Sequence, residues 1–228
     1  GQNVSKAGTL LLLVFLAFKL NALQHPLALT IVSEHFPPYN YSENQQAKGS
    51  SSQLVIQLLD KLAIDNQITF MPWGRAYHIA LNSPNVLIFS IARNALREDK
   101  FHWIGKLADT QACVFSLKQS KHLHHASSME QLMNYRVATQ QESHMSQLLL
   151  NKGFIEHKNL FRTTSAEHAI KLLQYNRSDF IIYAEQVFAY HLNRQKLITA
   201  DLIHTNFCID NYPLYLAVSK GTPLESVK

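Results

Sequence analysis

The stretch PWGRAYHIALNSPNVLIFSIARNALREDKFHWIG, residues 72–105, decides the fold of this chain. Residues 86–90 within it form a short apolar run after an Asn-Ser-Pro-Asn turn, which is typical of a fully buried strand. The amphipathic segment 76–81 before the turn predicts a helix. A helix followed by a buried strand indicates an open α/β sheet, in which ligands bind beyond the carboxyl ends of the strands.

Basic and amide side chains follow this buried strand directly. Arg93, Asn94 and Arg97 lie just past its carboxyl end. A guanidinium there can hold a carboxylate through two parallel hydrogen bonds, a geometry that lysine lacks. Arg97 is therefore predicted to bind an anionic group of a ligand. The alternative is that Arg97 forms a surface ion pair with Glu98 or Asp99.

Two further segments have helical periodicity and helix-start signals. Apolar residues at positions 55, 58, 59 and 62 recur on one helical face, and the serines at 50–52 are available as caps. Thr164 and Glu167 have the spacing of a capping box ahead of another amphipathic helix. Together with the short apolar runs between them, these segments extend the α/β pattern along the chain.

Five motifs in this order make the chain similar to family 3 of the periplasmic solute-binding proteins, which includes the polar amino-acid binders of ABC importers. They are FPPYNY at 36–41, PWGRAY at 72–77, FSIARNALR at 89–97, FHWIG at 101–105 and PLYLAVSK at 213–220. The motifs span most of the chain after residue 28. Their order and spacing make a joint signal that no single motif carries.

The resemblance implies an α/β fold of the type II periplasmic-binding-protein-like kind, with two α/β lobes joined by two crossover strands. Lobe 1 is expected to comprise residues 23–112 and 209–228, and lobe 2 residues 113–208. Relatives continue through a further long helix after the last strand, so the C-terminal helix of lobe 1 is expected to be missing from this chain. A solute would be held between the lobes by hinge closure.

Residues 1–22 have the order of a secretory signal peptide. Lys6 precedes nine uninterrupted apolar residues, and a more polar segment follows. Nine residues are too few to span a bilayer, which needs about 20. An N-terminal amphipathic or core helix is the alternative, since Leu20 stands where a cleavage site prefers a small residue. The prediction is export to the periplasm.

Composition and motif content argue against several classes of function. The 228 residues are 46% apolar and carry a formal net charge of +5. Their basic residues are scattered rather than clustered, so no nucleic-acid partner is expected. Sequence signatures of serine hydrolases, zinc proteases, CxxC proteins and phosphate-binding loops do not occur. His122, His124 and His125 lie in a Lys- and Ser-rich loop, which favours a solvated loop over a metal site. No metal or cofactor is expected.

Lobe 1 offers five candidate ligand contacts besides Arg97. By the resemblance, Phe36 stacks on the ligand; the alternative is that it closes the edge of the core. Trp73 and Arg75 are candidates for a stacking wall and a charge partner, or for a structural pair at a strand end. Ser90 and Ala92 are expected to contribute main-chain hydrogen bonds.

Lobe 2 completes the predicted site with Gln140, Ser143, His144 and Tyr183. The first three lie at the start of a helix, where free amide groups and the dipole favour a bound anion. Relatives carry a Gly-Thr-Gly-like turn at this place, whereas this chain has QQESH at 140–144. Amino-acid binders also place an aspartate where this chain has Ala184, which argues against an ordinary α-amino acid as ligand.

The two cysteines, Cys113 and Cys208, each fall in a predicted crossover. Because the crossovers of the resembled architecture run side by side, an exported protein could join the two cysteines in a disulfide. Two buried free thiols are the alternative.

The predicted function is periplasmic binding of a small, anionic or carboxylate-bearing solute by a monomer, for delivery to the permease of an ABC importer. One alternative is a periplasmic sensing domain that docks on a membrane receptor. Another is an enzyme similar to cyclohexadienyl dehydratase, which would require a general acid in the cleft. Glu34 and Glu185 are the candidates, and a pKa raised by burial would favour this enzyme.

Overall fold

A computed structural model describes residues 28–194 and 199–223 of the chain. The predicted signal peptide at residues 1–22 lies outside the described residues. No helix within the described ranges combines the length and apolarity needed to cross a bilayer.

The described residues form twelve strands and five α-helices, with short 3-10 turns between some of them. In chain order the elements are β1 (Thr30–Ser33), β2 (Tyr41–Glu43), β3 (Gln46–Lys48), α1 (Ser50–Lys61), β4 (Ile68–Phe70), α2 (Trp73–Asn82), β5 (Val86–Ala92), β6 (Phe101–Thr110), β7 (Ala112–Leu117), β8 (Val137–Gln140), α3 (His144–Asn151), β9 (Leu160–Thr163), α4 (Ala166–Gln174), β10 (Phe180–Ala184), α5 (Glu185–Arg194), β11 (Ile203–Cys208) and β12 (Tyr212–Ser219).

Two five-stranded sheets of similar topology organise these elements. The first has the order β4-β1-β5-β12-β6, in which β1, β4 and β5 are parallel and β12 runs antiparallel to both of its neighbours. The second has the order β11-β7-β10-β8-β9, in which β8, β9 and β10 are parallel and β7 is antiparallel to its neighbours. The predicted two-lobed α/β architecture is therefore confirmed.

Two short connections join the sheets, one between β6 and β7 and the other between β11 and β12. They lie side by side and are joined by two hydrogen bonds. The side-chain amide of Gln111 donates to the Ile209 carbonyl at 2.8 Å, and the Ile209 backbone amide donates to the Ala112 carbonyl at 2.9 Å. Both crossovers therefore pass through one narrow hydrogen-bonded region. Rotation of one lobe against the other would take place there.

The deciding stretch folds as its sequence predicts. All seven residues of β5 are buried, as expected of a strand that is covered on both faces. Pro72 caps the start of α2, and the helix ends at Asn82, before Ser83 and Pro84. The chain then turns through Asn85 at a φ of 58° and enters β5. This path brings the start of α2 and the carboxyl end of β5 to the same side of the first sheet.

Two helix starts differ from the prediction. The cap of α1 is Gly49, at a φ of 100°, and not one of the serines that follow it. A Cβ on Gly49 would collide with the Tyr39 carbonyl oxygen, so the close approach of the chain selects glycine here. The cap of α4 is Ser165, whose side chain accepts from the His168 amide at 3.2 Å. The predicted Thr164 box was therefore wrong by one residue.

A disulfide joins Cys113 and Cys208 in the second lobe. The two residues are register partners in the antiparallel pair of β7 and β11, next to the crossovers. The bond therefore ties together two strands of the same sheet and does not link one lobe to the other. Hinge rotation is compatible with this position.

Replacing both Cys113 and Cys208 by alanine is expected to lower the free energy of unfolding by about 2–4 kcal/mol. A crosslink between residues 95 positions apart restricts the unfolded chain, and its removal restores that freedom. Urea denaturation followed by circular dichroism measures the change. The wild type in reducing agent should match the double variant. Identical midpoints for the oxidised wild type and the double variant would contradict a stabilising bond.

Candidate ligand-binding site

A cavity of about 40 Å³ lies between the lobes, and we call it the inner cavity. Nine of the ten predicted site residues line it: Phe36, Trp73, Ser90, Ala92, Arg97, Gln140, Ser143, His144 and Tyr183. Seven further residues complete the lining: Glu34, Thr139, Met145, Ile182, Ala184, Tyr212 and Leu214. Residues from both lobes thus converge on one space.

Arg75 is the predicted site residue that the structure places elsewhere. It lies on an exposed face of α2 and does not line the cavity. Trp73 is buried, and residues two positions apart on an α-helix point about 200° apart around the axis. Trp73 and Arg75 therefore cannot face the same cleft.

Arg97 is buried, with only 1% of its surface exposed. Its Nη1 donates to the Ala92 carbonyl at 3.0 Å and its Nη2 to the Glu142 carbonyl at 2.8 Å. The guanidinium carbon lies 4.8 Å from the ring centre of Tyr77 and 5.7 Å from that of Trp73, within cation–π range. The alternative of a surface ion pair is wrong for Arg97.

A different arginine of the same loop makes that surface pair. Arg93 Nη2 lies 2.5 Å from Glu98 Oε1, and both side chains are partly exposed. Arg97, in contrast, makes no ion pair with any of the described residues. Two of its five N–H groups are used by carbonyls, and its buried Nε has no partner among the described residues. The guanidinium therefore retains donors for a further acceptor.

The Glu142 carbonyl is the point where lobe 2 docks on lobe 1. It accepts from Arg97 and also from Trp73 Nε1 at 2.9 Å. Glu142 has a φ of 56°, a left-handed conformation that turns its carbonyl toward these donors, and its carboxylate lies 3.1 Å from Arg162 of lobe 2. Gly74 lies beside this contact, against the side chain of Gln141.

Glu34 brings a buried carboxyl group to the cavity from the end of β1. Its Oε2 accepts from Gln140 Nε2 at 2.5 Å, which is a second contact between the lobes. Burial raises the pKa of Glu34 to about 8, against the smaller opposing effects of Gln140 and the Arg97 charge. The carboxyl group is therefore mainly neutral at pH 7.

His144 is also neutral. Burial and the nearby Arg97 charge lower its pKa to about 4. Its Nδ1 lies 2.9 Å from Asn94 Nδ2, and because the amide nitrogen only donates, Nδ1 accepts and the ring proton is on Nε2. The ring packs against Tyr212 with centres 4.6 Å apart. His144 can thus offer a neutral N–H donor.

The remaining predicted residues have structural contacts of their own. Phe36 is buried and stacks on Tyr39, with ring centres 5.6 Å apart. Ser90 has a φ of 56° within β5 and donates its hydroxyl to Asn40. Ser143 caps α3 by accepting from the Ser146 amide at 3.1 Å. Each of these three residues therefore has a structural role and also lines the cavity.

The sequence analysis named Glu34 only as a candidate general acid of the cleft, although Glu34 follows β1 as Arg93 follows β5. It missed Tyr212 and Leu214, which also line the cavity. Tyr212 and Leu214 belong to the strand that returns from lobe 2, and their place in the cleft depends on the pairing of β12 with β5. No local pattern in the sequence gives that pairing.

A larger space adjoins the inner cavity, and we call it the second chamber. It measures about 380 Å³. Four residues line both spaces: Glu34, Trp73, Gln140 and Tyr183. The rest of its lining is His35, Phe70, Met71, Pro72, Thr164, Ser165, Ala166, Glu167 and His191. The contact between Glu34 and Gln140 therefore lies in the wall between the two spaces.

The similar proteins found for this chain were found by comparing its structure with solved structures. No protein-family model matches the sequence, and no curated protein matches it. A histidine kinase sensor domain with similarity to periplasmic binding proteins superposes with a TM-score of 0.72 at 18% identity, covering 85% of this chain and 83% of the other. The chain has the two-lobed fold of the periplasmic binding proteins.

Two further solved structures share this periplasmic-binding-protein fold. Holo ArgBP from T. maritima has a TM-score of 0.70 at 16% identity, covering 84% of this chain and 82% of the other. The periplasmic sensor of a hybrid histidine kinase from Borrelia burgdorferi has a TM-score of 0.61 at 14% identity, covering 88% of this chain and 91% of the other. At these identities the likeness concerns the fold.

The raised pKa of Glu34 makes stability depend on pH. The contribution of the neutral Glu34 carboxyl group to the free energy of unfolding is fully present below pH 4.5, the ordinary pKa of the group. It is lost as the pH rises from there to about 8, by at most about 1.4 kcal/mol per pH unit. Glu34→Gln keeps an acceptor for Gln140 and should flatten this decline, so it should be more stable than the wild type at about pH 9.

Urea denaturation at several pH values between about 5 and 9 measures the difference. Glu130→Gln is the matched control, because Glu130 is an exposed carboxylate with a lowered pKa in lobe 2. A parallel pH profile for Glu34→Gln and the wild type would show that Glu34 ionises normally.

Proposed function

We propose that this protein binds a small solute carrying a carboxylate or another anionic group in the cleft between its lobes. The position of Arg97 carries the proposal. Its guanidinium is buried at the inner cavity, makes no ion pair among the described residues, and has an Nε–H group for which these residues provide no acceptor. A buried cation of this kind favours an anionic partner.

Binding would require the lobes to separate first. The inner cavity measures about 40 Å³, whereas a single water already needs about 10–15 Å³. A solute of amino-acid size would therefore displace the Glu142 carbonyl from Arg97 and Trp73, with rotation at the two crossovers. The ligand's oxygen atoms would take the place of that carbonyl. Phe36 and Trp73 would supply apolar walls on the lobe 1 side.

We also propose where this protein acts and with which kind of partner. Proteins of this fold that are similar in structure include periplasmic sensor domains and ArgBP, which supports a place in the periplasm. We propose delivery of the solute to the permease of an ABC importer. Docking on a membrane receptor is the second candidate, favoured by the two sensor domains. A permease gene or a histidine kinase gene beside this one would separate the two roles.

A thermal-shift screen of small carboxylates, amino acids, polyamines and sugars tests the binding proposal. A ligand at a hundred times its dissociation constant should add about 2.7 kcal/mol of stability. Arg97→Ala should abolish the shift caused by anionic ligands. Arg97→Lys should weaken it, because lysine keeps the charge and loses the fork of donors.

Arg93→Ala is the matched control, since Arg93 lies in the same loop but pairs with Glu98 on the surface. It should keep the full shift. If a folded Arg97→Ala variant also keeps the full shift, the anionic group is not bound by Arg97. If no anionic compound shifts the wild type, the proposed ligand class is wrong.

One observation favours an enzyme as a further candidate. Glu34 has its pKa raised to about 8 and lines the inner cavity, which suits a general acid at neutral pH. Glu185, the other carboxyl considered, is exposed and does not line the cavity. In an elimination like that of cyclohexadienyl dehydratase, Glu34 would protonate the departing hydroxyl so that it leaves as water. The ring carboxylate would leave as CO2, and the electrons of the broken C–C bond would complete the aromatic ring.

Incubation with a cyclohexadienyl acid distinguishes this enzyme from a binding protein. A dehydratase would form an aromatic product with multiple turnovers, seen as a change in ultraviolet absorbance. Glu34→Gln should abolish turnover, whereas the control Glu130→Gln should retain it. A stable ligand shift without product would leave binding as the function.

A further inference from the structure

Residues 140–144 join β8 to α3 and contact lobe 1 across the cleft, and we call them the latch segment. At one end of the segment, Gln140 Nε2 donates to Glu34 Oε2 at 2.5 Å. At the other end, His144 Nδ1 accepts from Asn94 Nδ2 at 2.9 Å. The segment therefore contacts two separate parts of lobe 1, the end of β1 and the loop after β5.

The middle of the latch segment makes a third contact with lobe 1. The Glu142 carbonyl accepts from Trp73 Nε1 at 2.9 Å and from Arg97 Nη2 at 2.8 Å. Lobe 2 holds this carbonyl in place, because the Glu142 carboxylate pairs with Arg162 at 3.1 Å and Ser143 caps α3. Since all three contacts belong to one short segment, they form and break together when the lobes move.

Two of these contacts bury an ionisable side chain between the lobes. Glu34 is 6% exposed, and burial raises its pKa to about 8 against the smaller opposing effects of Gln140 and Arg97. His144 is partly buried, and burial together with the Arg97 charge lowers its pKa to about 4. Separation of the lobes would return both side chains to water, where their pKa values are ordinarily 4.5 and 6.5. The closed form therefore selects the neutral state of both groups.

We propose that the latch segment holds the lobes together in the ligand-free protein and that this latch is proton-linked, closing with Glu34 protonated and His144 neutral. The contacts that carry the inference join protein groups, so it is independent of which ligand binds at Arg97. A solute can enter only when the lobes are apart, so its rate of association should follow the open fraction. The latch would thereby make solute entry depend on pH.

Glu34 sets the direction of the pH dependence near neutrality. Between pH 4.5 and about 8, Glu34 is ionised in the open form and neutral in the closed form, so closing takes up a proton. The ratio of closed to open protein should therefore fall as the pH rises from 6.5 to about 8, by up to about tenfold per pH unit. Below pH 6.5, His144 is protonated in the open form, and closing releases that proton. The two effects then oppose each other, and the ratio should stop rising as the pH drops.

Six other ionisable groups face Glu34 or His144 from the inner cavity or the second chamber: Arg97, Tyr183, Tyr212, His35, Glu167 and His191. Burial raises the pKa of both tyrosines, which keeps them neutral in this pH range. Glu167 stays ionised, because its hydrogen bond with His191 lowers its pKa to about 2. Burial lowers the pKa of His35, so His35 acts in the same direction as His144.

The two tryptophans of the chain provide the readout. The Trp73 indole N–H donates to the Glu142 carbonyl across the cleft, whereas the Trp103 indole N–H donates to the Glu98 carbonyl within lobe 1 at 2.9 Å. Hydrogen exchange of both groups, followed by NMR on the ligand-free full chain between about pH 5 and 8.5, measures how often each bond opens. The ratio of the Trp73 protection factor to that of Trp103 isolates lobe opening from global unfolding. This ratio should fall by up to about tenfold per pH unit from pH 6.5 to about 8.

Two neutral substitutions separate the groups. Glu34→Gln keeps an acceptor for Gln140 and should flatten the profile above pH 6.5, while the ratio should fall on acidification because His144 is then unopposed. His144→Asn keeps an acceptor in place of Nδ1 and should extend the fall with rising pH over the whole range. The controls Glu130→Gln and His122→Gln, both at exposed positions of lobe 2, should match the wild type.

Gln140→Ala provides a test that leaves both ionisable groups in place. Loss of one hydrogen bond between the lobes should lower the ratio of protection factors about fivefold near neutral pH and keep its slope. Together with the wild-type profile, this variant decides the inference even if Glu34→Gln or His144→Asn does not fold. An unchanged ratio in Gln140→Ala would show that its contact with Glu34 does not hold the lobes.

Other results would overturn the inference. A Trp73 indole that exchanges as fast as that of Trp103 at every pH would show that the lobes are not latched. Strong protection without a fall between pH 6.5 and about 8 would show that closing takes up no proton. The same conclusion follows if a folded Glu34→Gln variant has the wild-type profile. None of these results bears on anion binding at Arg97, which the thermal-shift screen tests separately.

Discussion

Burial of the Arg97 guanidinium is the constraint on which the arrangement of the lobes depends. A cation removed from water is costly unless donors, acceptors and polarisable groups surround it. In this protein two carbonyls and two aromatic rings do so, without a carboxylate among the described residues. One of those carbonyls belongs to Glu142 of lobe 2, so the same interaction that solvates the cation also brings the lobes together. A ligand that offers better oxygen acceptors competes for the same donors.

Among the described residues that line the inner cavity, Arg97 carries the positive charge, while Glu34 and His144 are held neutral. Burial raises the pKa of Glu34 and lowers that of His144, and the Arg97 charge further disfavours protonation of His144. The inner cavity thus presents a cation and a set of neutral donors and acceptors. In the second chamber, a hydrogen bond with His191 lowers the pKa of Glu167, so this carboxyl group is ionised.

Two positions at which this chain lacks the residues expected of amino-acid binders have structural roles of their own. Where the sequence resemblance predicts a glycine-containing turn, Glu142 adopts a left-handed conformation with a side chain present. Its backbone is then aimed at Arg97 and Trp73 of the opposite lobe. Ala184 lines the cavity at the position where the sequence resemblance predicts an aspartate, and the buried carboxyl group of the lining is that of Glu34.

The sequence by itself determined the periodic elements and the strand-end position of Arg97. The apolar run at residues 86–90, which the structure extends to a seven-residue buried strand, and the helix before it are local patterns, and the carboxyl end of a parallel strand is a general place for ligands. It did not determine which helix face meets the cleft, so Arg75 was placed wrongly, or which residue caps α4. Only the tertiary structure decided the burial of Glu34, the place of Tyr212 and the carbonyl partner of Arg97. The reason is physical: desolvation, strand pairing and contact between lobes arise from residues far apart in the chain, and no local pattern encodes them.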